Sequence, residues 1–385
     1  MDTLTHALSG ALLARVIAAR RRAPAVTNAP ANAPAVGRLT APWDDGPGSP
    51  APWQCVLVGL VAGAFPDVDA VTQWFGAIAY LTYHRGLTHS ALMWPLWAGL
   101  VAWLMSKCFA VTRAQPGGWK SLYLVAAGGI LIHIAGDWIT QFGTMLLEPV
   151  SGRRFGLGAM FIIDLVFTGL LAGGLVLAGL LPRQRWPALL GLGAAAGWVG
   201  VAWVGEQEAI AAGERQARAL GIAAPVIDVM PRPASPFNWT VSVFDGERYH
   251  LAHINTRRTE PLRAVAGDHF IRRFSAPYQP ERLATWQVVP RFGPADTPPW
   301  VAQAWQHEAF GFYRWFAQTP ALFKVEEGVD TQGQRERCAW FRDLRFEFPG
   351  REEAPFRFGV CLLGPDASAA PARVYKLEGN ARVPA

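Results

Sequence analysis

Cysteine is scarce here and badly spaced for metal work. The four residues, Cys55, Cys108, Cys338 and Cys361, form no CxxC pair and no Cys/His zinc spacing. That excludes thiolate zinc modules and dithiol redox motifs. Cys55 and Cys108 sit in apolar runs and read as buried small hydrophobes. Cys338 and Cys361 share the C-terminal half and could pair in an oxidising compartment. Charge is also thin: charged residues make up 17% of the 385, against 51% hydrophobic. With a mean hydropathy of +0.16 the chain is apolar for a soluble protein and too polar to be membrane throughout. A membrane half and a water-facing half satisfy both limits. The net charge is +6 and the isoelectric point about 9.4, yet no recognised nucleic-acid module is present. Many arginines instead flank apolar runs, where anionic lipid and topology explain them, so nucleic acid is not an expected partner. A signal peptide is not expected either: Asp2 and His6 come first, and Arg20, Arg21 and Arg22 follow the apolar stretch instead of preceding it. There is no internal repeat of fixed period.

What is present is a succession of apolar runs. Residues 1–19 read as an Ala/Leu-rich helix just long enough to cross a bilayer. Residues 23–52 are Ala/Pro-rich without a hydrophobic period and read as a loop. Further runs cover residues 53–65, 90–111, 119–139, 161–181 and 186–205, with a glycine-rich polar loop at 140–160. The prediction is an α-helical membrane bundle of about five to six apolar helices over residues 1–205. A charged helix and proline-punctuated linker follow at 206–229, then a β-rich soluble domain at 230–385. In the last, residues 238–244 alternate, Asp245-Gly246 signals a turn, and residues 249–254 complete a hairpin. Residues 344–348 and 356–360 alternate too.

If each run crosses once, Arg15 and Arg20–Arg22, then Lys107, Arg113 and Lys120, then Arg183 and Arg185, fall on one face, which the positive-inside rule makes cytoplasmic. The same alternation puts His6, Asp67, Asp69, His84, His89, His133, Asp137 and Asp164 at the opposite end, with the C-terminal domain on that side.

These polar residues at the ends of apolar helices are costly to place there. His133 and Asp137 stand at i, i+4 and point from one helix face to one spot. Asp67 and Asp69 flank a turn after a helix. His84 and His89 are too far apart for one helix face, but a loop leading into a helix at Ser90 can turn both inward, with Thr88 or Ser90 as cap. Imidazole and carboxylate without thiolate suit Zn, Mn, Fe or Ni, and suit hydrolysis. Arg85, Arg153 and Arg154 are typed to hold an anionic group. Each has a blander reading. A lone His in an apolar run is more often a packing residue, Asp164 serves equally as a helix N-terminal charge, and Arg153 and Arg154 can meet lipid headgroups. His250, His253, His269 and His307 lack paired spacing and read as structural. The seventeen tryptophans read as interface belts and core.

The segments LTHALSG, FPDVD, YHRGLTHS, HIAGDWITQFGT and FIIDLVF, in this order, resemble the family of bacterial membrane-bound metal-dependent hydrolases, also described as LexA-binding and inner-membrane-associated. The resemblance covers roughly residues 1–205. It implies that His6, Asp67, Asp69, His84, His89, His133 and Asp137 carry metal and catalysis, and, through a remoter likeness to helical phospholipase C and nuclease-type enzymes, that the bond is a phosphoester. LexA binding needs a cytoplasmic surface, which the topology above does not give the large soluble domain. The expectation is therefore a hydrolase of the bacterial inner membrane with its site and C-terminal domain on the periplasmic side. His6, Asp67, His89, His133 and Asp137 are its ligands to a divalent ion, zinc first, then Mn or Fe. His84 or Asp69 is the proton-transfer or ligand-orienting group, and Arg85 the anion holder. The bilayer and a small or lipid-like substrate are its expected partners. The competing expectation is a non-enzymatic membrane metal-binding or regulatory scaffold whose C-terminal domain binds a protein. A hydrolase keeps a metal position open to water, and a scaffold closes it.

Overall fold

The computed structural model describes residues 1–18, 49–329, 333–364 and 371–385; Arg20–Arg22 and most of the Ala/Pro-rich stretch lie outside the described residues. The chain divides into two compact units. The first comprises residues 1–69, 85–157 and 162–200, and the second comprises 70–84, 158–161 and 201–385.

The N-terminal half is helical. Its elements are α1 (Thr3–Ile17), α2 (Pro52–Ala64) running on as a 3-10 helix to Phe75, α3 (Ala77–Tyr83), α4 (Trp94–Cys108), α5 (Ala110–Arg113), α6 (Lys120–Trp138), α7 (Leu165–Leu180) and α8 (Trp186–Ala219). Asp2 caps α1 by accepting from Thr5 N, and Asp164 caps α7 by accepting from Phe167 N, the blander of its two expected roles. Among the described residues three helices are long and apolar enough to cross a membrane: Pro52–Phe75, Lys120–Trp138 and Trp186–Ala219. A fourth is added if the bent pair Ala77–His89 and Trp94–Cys108 counts as one. That corrects the expected five to six. α1 and α7 have 15 and 16 residues, which at 1.5 Å per residue is about 23 Å, short of a hydrocarbon core of about 30 Å. With three or four crossings, the arginine clusters no longer fall on one face by simple alternation.

The first unit's core is built from small residues. Gly10 of α1 faces Gly59 and Gly63 of α2 so closely that a Cβ on Gly59 would stand 2.4 Å from Gly10 O, and one on Gly63 2.5 Å from His6 O. On α6, a Cβ at Gly129 would stand 2.7 Å from the Ala62 side chain. Such small-residue contacts let helices approach to van der Waals range without a hydrophobic driving force. Ala14, Val58, Ala62, Ala98, Val101, Leu122, Ala126 and Ile130 complete the buried core. Cys55 is buried as expected, but Cys108, at the last turn of α4, is exposed.

The second unit is β-rich, with two five-stranded sheets. The first holds β1 (Val226–Pro231), β2 (Asn238–Phe244), β3 (Arg248–Asn255), the two-residue β4 (Gln279–Pro280) and β5 (Gln287–Pro290). All its pairings are antiparallel except β3 with β4. Trp239, Val241 and Ile254 pack against Ala209 and Ala212 of α8, so this end of α8 buries one face instead of being solvated all round. Short helices α9 (Phe270–Ser275), α10 (Trp300–Gln306) and α11 (Gly311–Phe316) accompany the strands. The second sheet runs β6 (Pro320–Val329), β7 (Arg335–Asp343), β8 (Phe358–Leu363), β9 (Ala372–Glu378) and β10 (Ala381–Pro384) as an antiparallel meander. Cys338 and Cys361 stand opposite each other on β7 and β8 and are disulfide-bonded.

The expected hairpin is β2–β3. Two other expectations are corrected. Residues 226–231 pair along β2 and are not linker; Pro225 and Pro231 bracket the strand and leave its interior N–H groups free to bond. Leu344–Phe346 is a 3-10 turn, not a strand, because the Asp343 side chain accepts from Arg345 N and closes the chain on itself.

Candidate metal centre

Three helices and one loop of the first unit deliver the site. α6 carries His133 and Asp137, both 0% exposed. The turn after α2 carries Asp67 and Asp69, and the loop before α4 carries Arg85, Thr88 and His89. α1 brings His6 beneath them: its ring stacks on His133 with centroids 3.7 Å apart, and Gly136 makes room for it, since a Cβ there would lie 3.1 Å from His6 Cε1.

Four ligand atoms meet. His89 Nε2 lies 3.0 Å from His133 Nε2, 3.1 Å from Asp137 Oδ2 and 3.8 Å from Asp67 Oδ1. His133 Nε2 lies 3.4 Å from Asp137 Oδ2 and 3.6 Å from Asp67 Oδ1. Asp67, His89, His133 and Asp137 form a group whose ligand atoms all lie within 4.8 Å of one another.

Their hydrogen bonds fix what each offers. His133 Nδ1 lies 2.6 Å from Gly63 O, which can only accept, so this nitrogen carries the proton and Nε2 presents a lone pair. His89 Nδ1 faces Asp69 Oδ2 at 3.1 Å, which fixes the same tautomer. Asp69 Oδ2 is held in turn by Arg85 N at 2.9 Å and the Thr88 hydroxyl at 2.8 Å. Arg85 reaches this position with φ at 59°, a left-handed backbone that few non-glycine residues adopt. Asp67 Oδ2 accepts from the Thr3 hydroxyl at 2.6 Å. With both imidazoles neutral in this tautomer, two nitrogen lone pairs and two carboxylate oxygens converge, and Asp137 Oδ2, 3.1 Å from His89 Nε2, makes no well-formed hydrogen bond. Acceptors packed this closely repel one another unless positive charge, a metal ion or a proton on His89 Nε2, lies between them.

The spacing fits a metal. For tetrahedral zinc with bonds of about 2.1 Å to N and O, ligand atoms stand about 3.4 Å apart. The five separations above run from 3.0 to 3.8 Å around that value.

The remaining expected residues lie elsewhere. His6 is not among the converging four: its Nε2 meets the other oxygen of Asp137, Oδ1, at 3.0 Å. Arg85, expected to hold an anion, is buried; its Nη2 pairs with Asp137 Oδ1 at 2.7 Å and its Nη1 donates to Thr140 Oγ1 at 2.9 Å. The Met1 amino group also meets Oδ1. His84 belongs to the second unit, where it stacks on Tyr80. Arg153 and Arg154 lie over the rings of Phe155 and Phe142. Sequence reading missed Thr3, Thr140 and the Gly63 carbonyl. Of these only Gly63 left a signal, the Gly59–Gly63 spacing of four that marks close helix contact.

Residues 1–209 match the family described as YdjM inner membrane protein. The chain belongs to that family. Over 116 residues it is also 24% identical to YfhP, an uncharacterised protein of Bacillus subtilis (strain 168); the match covers 30% of this chain and 34% of YfhP, so the chain spans about a third of that relative's length. No solved structure matches. Family and candidate spans together make this an inner-membrane protein with helices in the bilayer, and its buried His/Asp cluster could hold a metal ion.

Proposed function

We propose that the chain is a metal-dependent hydrolase of the inner membrane, cleaving a phosphoester or related bond in a lipid-like or anionic substrate. The observation that carries this is the convergence of His89 Nε2, His133 Nε2, Asp137 Oδ2 and Asp67 Oδ1 at the spacing of metal ligands. A bound divalent ion, zinc first by donor type and spacing, would bring the pKa of a water toward neutrality and polarise the scissile group.

The protein's part is positioning. Gly63 and Asp69 hold the two imidazoles in the tautomer that binds. Arg85 and His6 hold Asp137 Oδ1, so that Oδ2 turns to the centre. Asp67 is the outlying ligand: its side chain is 14% exposed where the other three are at 0%, and its Oδ1 makes the longest separations. Four protein ligands would fill a tetrahedral shell, so a hydrolase requires Asp67, the most exposed of the four, to yield its place to water or the ion to take a fifth ligand on that side, whereas a scaffold keeps all four closed. Arg85 is not available as an anion holder while it pairs with Asp137. Phosphoester as the bond class follows from the family resemblance of the motifs. The Cys338–Cys361 disulfide supports the periplasm as the compartment of the second unit.

The test is metal content of the detergent-purified chain by mass spectrometry, with His133→Ala/Asp137→Ala beside it, then X-ray absorption on the loaded protein and a screen of phosphoesters and phospholipids. The reading expects near-stoichiometric metal that the double variant loses, a water among the ligands, and turnover that depends on metal. Metal bound by four protein ligands with no turnover would leave the scaffold. No metal after reconstitution with Zn or Mn would end the hydrolase reading and leave a regulatory scaffold.

A further inference from the structure

The second unit contains a cleft of about 490 Å³ between the end of α8 and the segments that follow β3 and β4. It includes none of the metal centre's residues. Its size suits a small organic ligand, and its chemistry is one-sided. Arg215, Arg258 and Arg282 line it, against the single carboxylate of Glu281. Arg215 is already paired, donating to Glu281 through Nε at 2.7 Å and Nη2 at 2.6 Å.

Arg258 is different. Its guanidinium donates to Ser275 O at 3.0 Å, Ser275 Oγ at 2.9 Å and the Tyr278 carbonyl. These acceptors are neutral, so they fix the side chain without cancelling its charge. Among the described residues Arg258 has no carboxylate partner. Arg282 is held by Thr259 O at 2.7 Å, and its nearest carboxylate, Glu260, lies at 3.6 Å with both side chains largely in solvent, a pair worth little. The cleft thus carries two cations that nothing inside it neutralises. Around them Gln216, Thr259 and Trp286 complete the polar and aromatic part of the lining. Trp286 packs one side on the core formed by Trp239, Val241 and Ala212, which makes it a rigid aromatic wall.

We propose that this cleft binds a small organic oxyanion, a phosphoryl or carboxylate group carried on a flat apolar ring. The guanidiniums of Arg258 and Arg282 take the anion, whose oxygens match their planar fork, and the ring lies along Trp286. Pre-set Arg258 and a fixed indole keep the ordering cost of binding low.

The experiment is calorimetric titration of the full chain in detergent, with a chelator present so that the metal centre contributes nothing. The probes are phenylphosphonate, whose C–P bond no phosphoesterase cleaves, then benzoate, inorganic phosphate and benzyl alcohol. Phenylphosphonate or benzoate should bind more tightly than inorganic phosphate, and benzyl alcohol should bind least. Arg282→Gln, a change at an exposed side chain, should weaken the anionic ring compounds by about tenfold, and adding Arg258→Gln should weaken them further. Trp286→Leu should bring phenylphosphonate down to the level of inorganic phosphate while leaving inorganic phosphate unchanged. Absence of binding by both ring anions, undiminished binding by a folded Arg258→Gln/Arg282→Gln variant, or benzyl alcohol binding as tightly as phenylphosphonate would each overturn the assignment.

Discussion

Asp69 is where the metal reading makes its sharpest quantitative demand. The residue touches the ligand His89. It acts through one oxygen, Oδ2, which faces His89 Nδ1 at 3.1 Å and accepts from Arg85 N at 2.9 Å and Thr88 Oγ1 at 2.8 Å. Asp69→Asn keeps the shape and leaves an oxygen able to accept all three bonds, but it removes the negative charge that makes His89 a stronger donor to a cation. Loss of such a partner typically lowers metal affinity by about 10–100-fold, which corresponds to about 1.4–2.7 kcal/mol; with the acceptor geometry retained, the lower end is expected here. Asp69→Ala goes further. It strands three donors, of which the two buried ones, Arg85 N and His89 Nδ1, cost about 1–3 kcal/mol each, and should unseat the loop that delivers His89. Thr88→Val, which removes one donor and leaves the His89–Asp69 contact intact, should cost less than tenfold. The assay is competition against a chromophoric chelator in detergent, with circular dichroism confirming that each variant is folded. A folded Asp69→Asn that binds zinc as tightly as wild type would mean that His89 is not a ligand held in this tautomer, and the centre would have to be rebuilt without it.

Gly59→Ala should destabilise the first unit by about 1–3 kcal/mol, because the new methyl would stand 2.4 Å from both Gly10 O and the Ala14 side chain; Gly173→Ala in α7, with nothing within 4 Å, should be neutral or stabilising. Thermal melts in detergent with metal analysis check both, and a Gly59→Ala protein that melts and loads like wild type would dismiss close packing as the means of assembly. The Cys338–Cys361 disulfide joins residues 23 apart, for which loop closure allows about 3 kcal/mol; Cys338→Ala/Cys361→Ala should lower the second unit's calorimetric transition, and an unchanged transition would refute that. Burial, with the Arg232 guanidinium nearby, pushes the His253 imidazole down to about 4. The unfolded chain therefore takes up this proton first, near pH 6.5. Stability contributed by the neutral ring is complete above that pH and is lost as pH falls toward about 4, on the order of 3 kcal/mol at most. Denaturant titrations of His253→Gln should show a flatter acid limb; an identical limb would exonerate His253.

Much of the site was legible because polarity inside apolar helices is expensive and so leaves a mark. His133 and Asp137 stand out in α6 for that reason, as do Asp67 and His89 at the ends of apolar runs. The hairpin β2–β3 was legible from alternation and Asp245-Gly246. The second sheet was not. β7 reads Arg-Glu-Arg-Cys-Ala-Trp-Phe-Arg-Asp, and the four consecutive residues from Cys338 to Phe341 are all buried; a strand covered on both faces has no period of two to find. The helix count erred for a different reason. Apolar composition marks a helix as buried, but only length separates one that crosses from one that packs against its neighbours, and α1 and α7 fall on the short side.

What spacing could not convey is that a carboxylate has two oxygens with separate duties. At Asp137, Oδ1 takes His6 at 3.0 Å and Arg85 at 2.7 Å, while Oδ2 faces His89 and His133 and makes no well-formed hydrogen bond. A sequence shows one acidic residue among several basic ones and assigns each basic group to whatever its type suits, so His6 reads as a ligand and Arg85 as a cradle for an anion. Folded, both spend their positive or donor character on Oδ1. That has a consequence for how the centre binds. Were both oxygens free, the carboxylate could swing or bind through either; with Oδ1 committed on one side, rotation would break the Arg85 and His6 contacts together in a buried place where each is expensive to lose. Asp137 is thereby confined to offering a single oxygen in one direction, and the rigidity the metal requires comes from the two residues that sequence reading had assigned to metal and substrate.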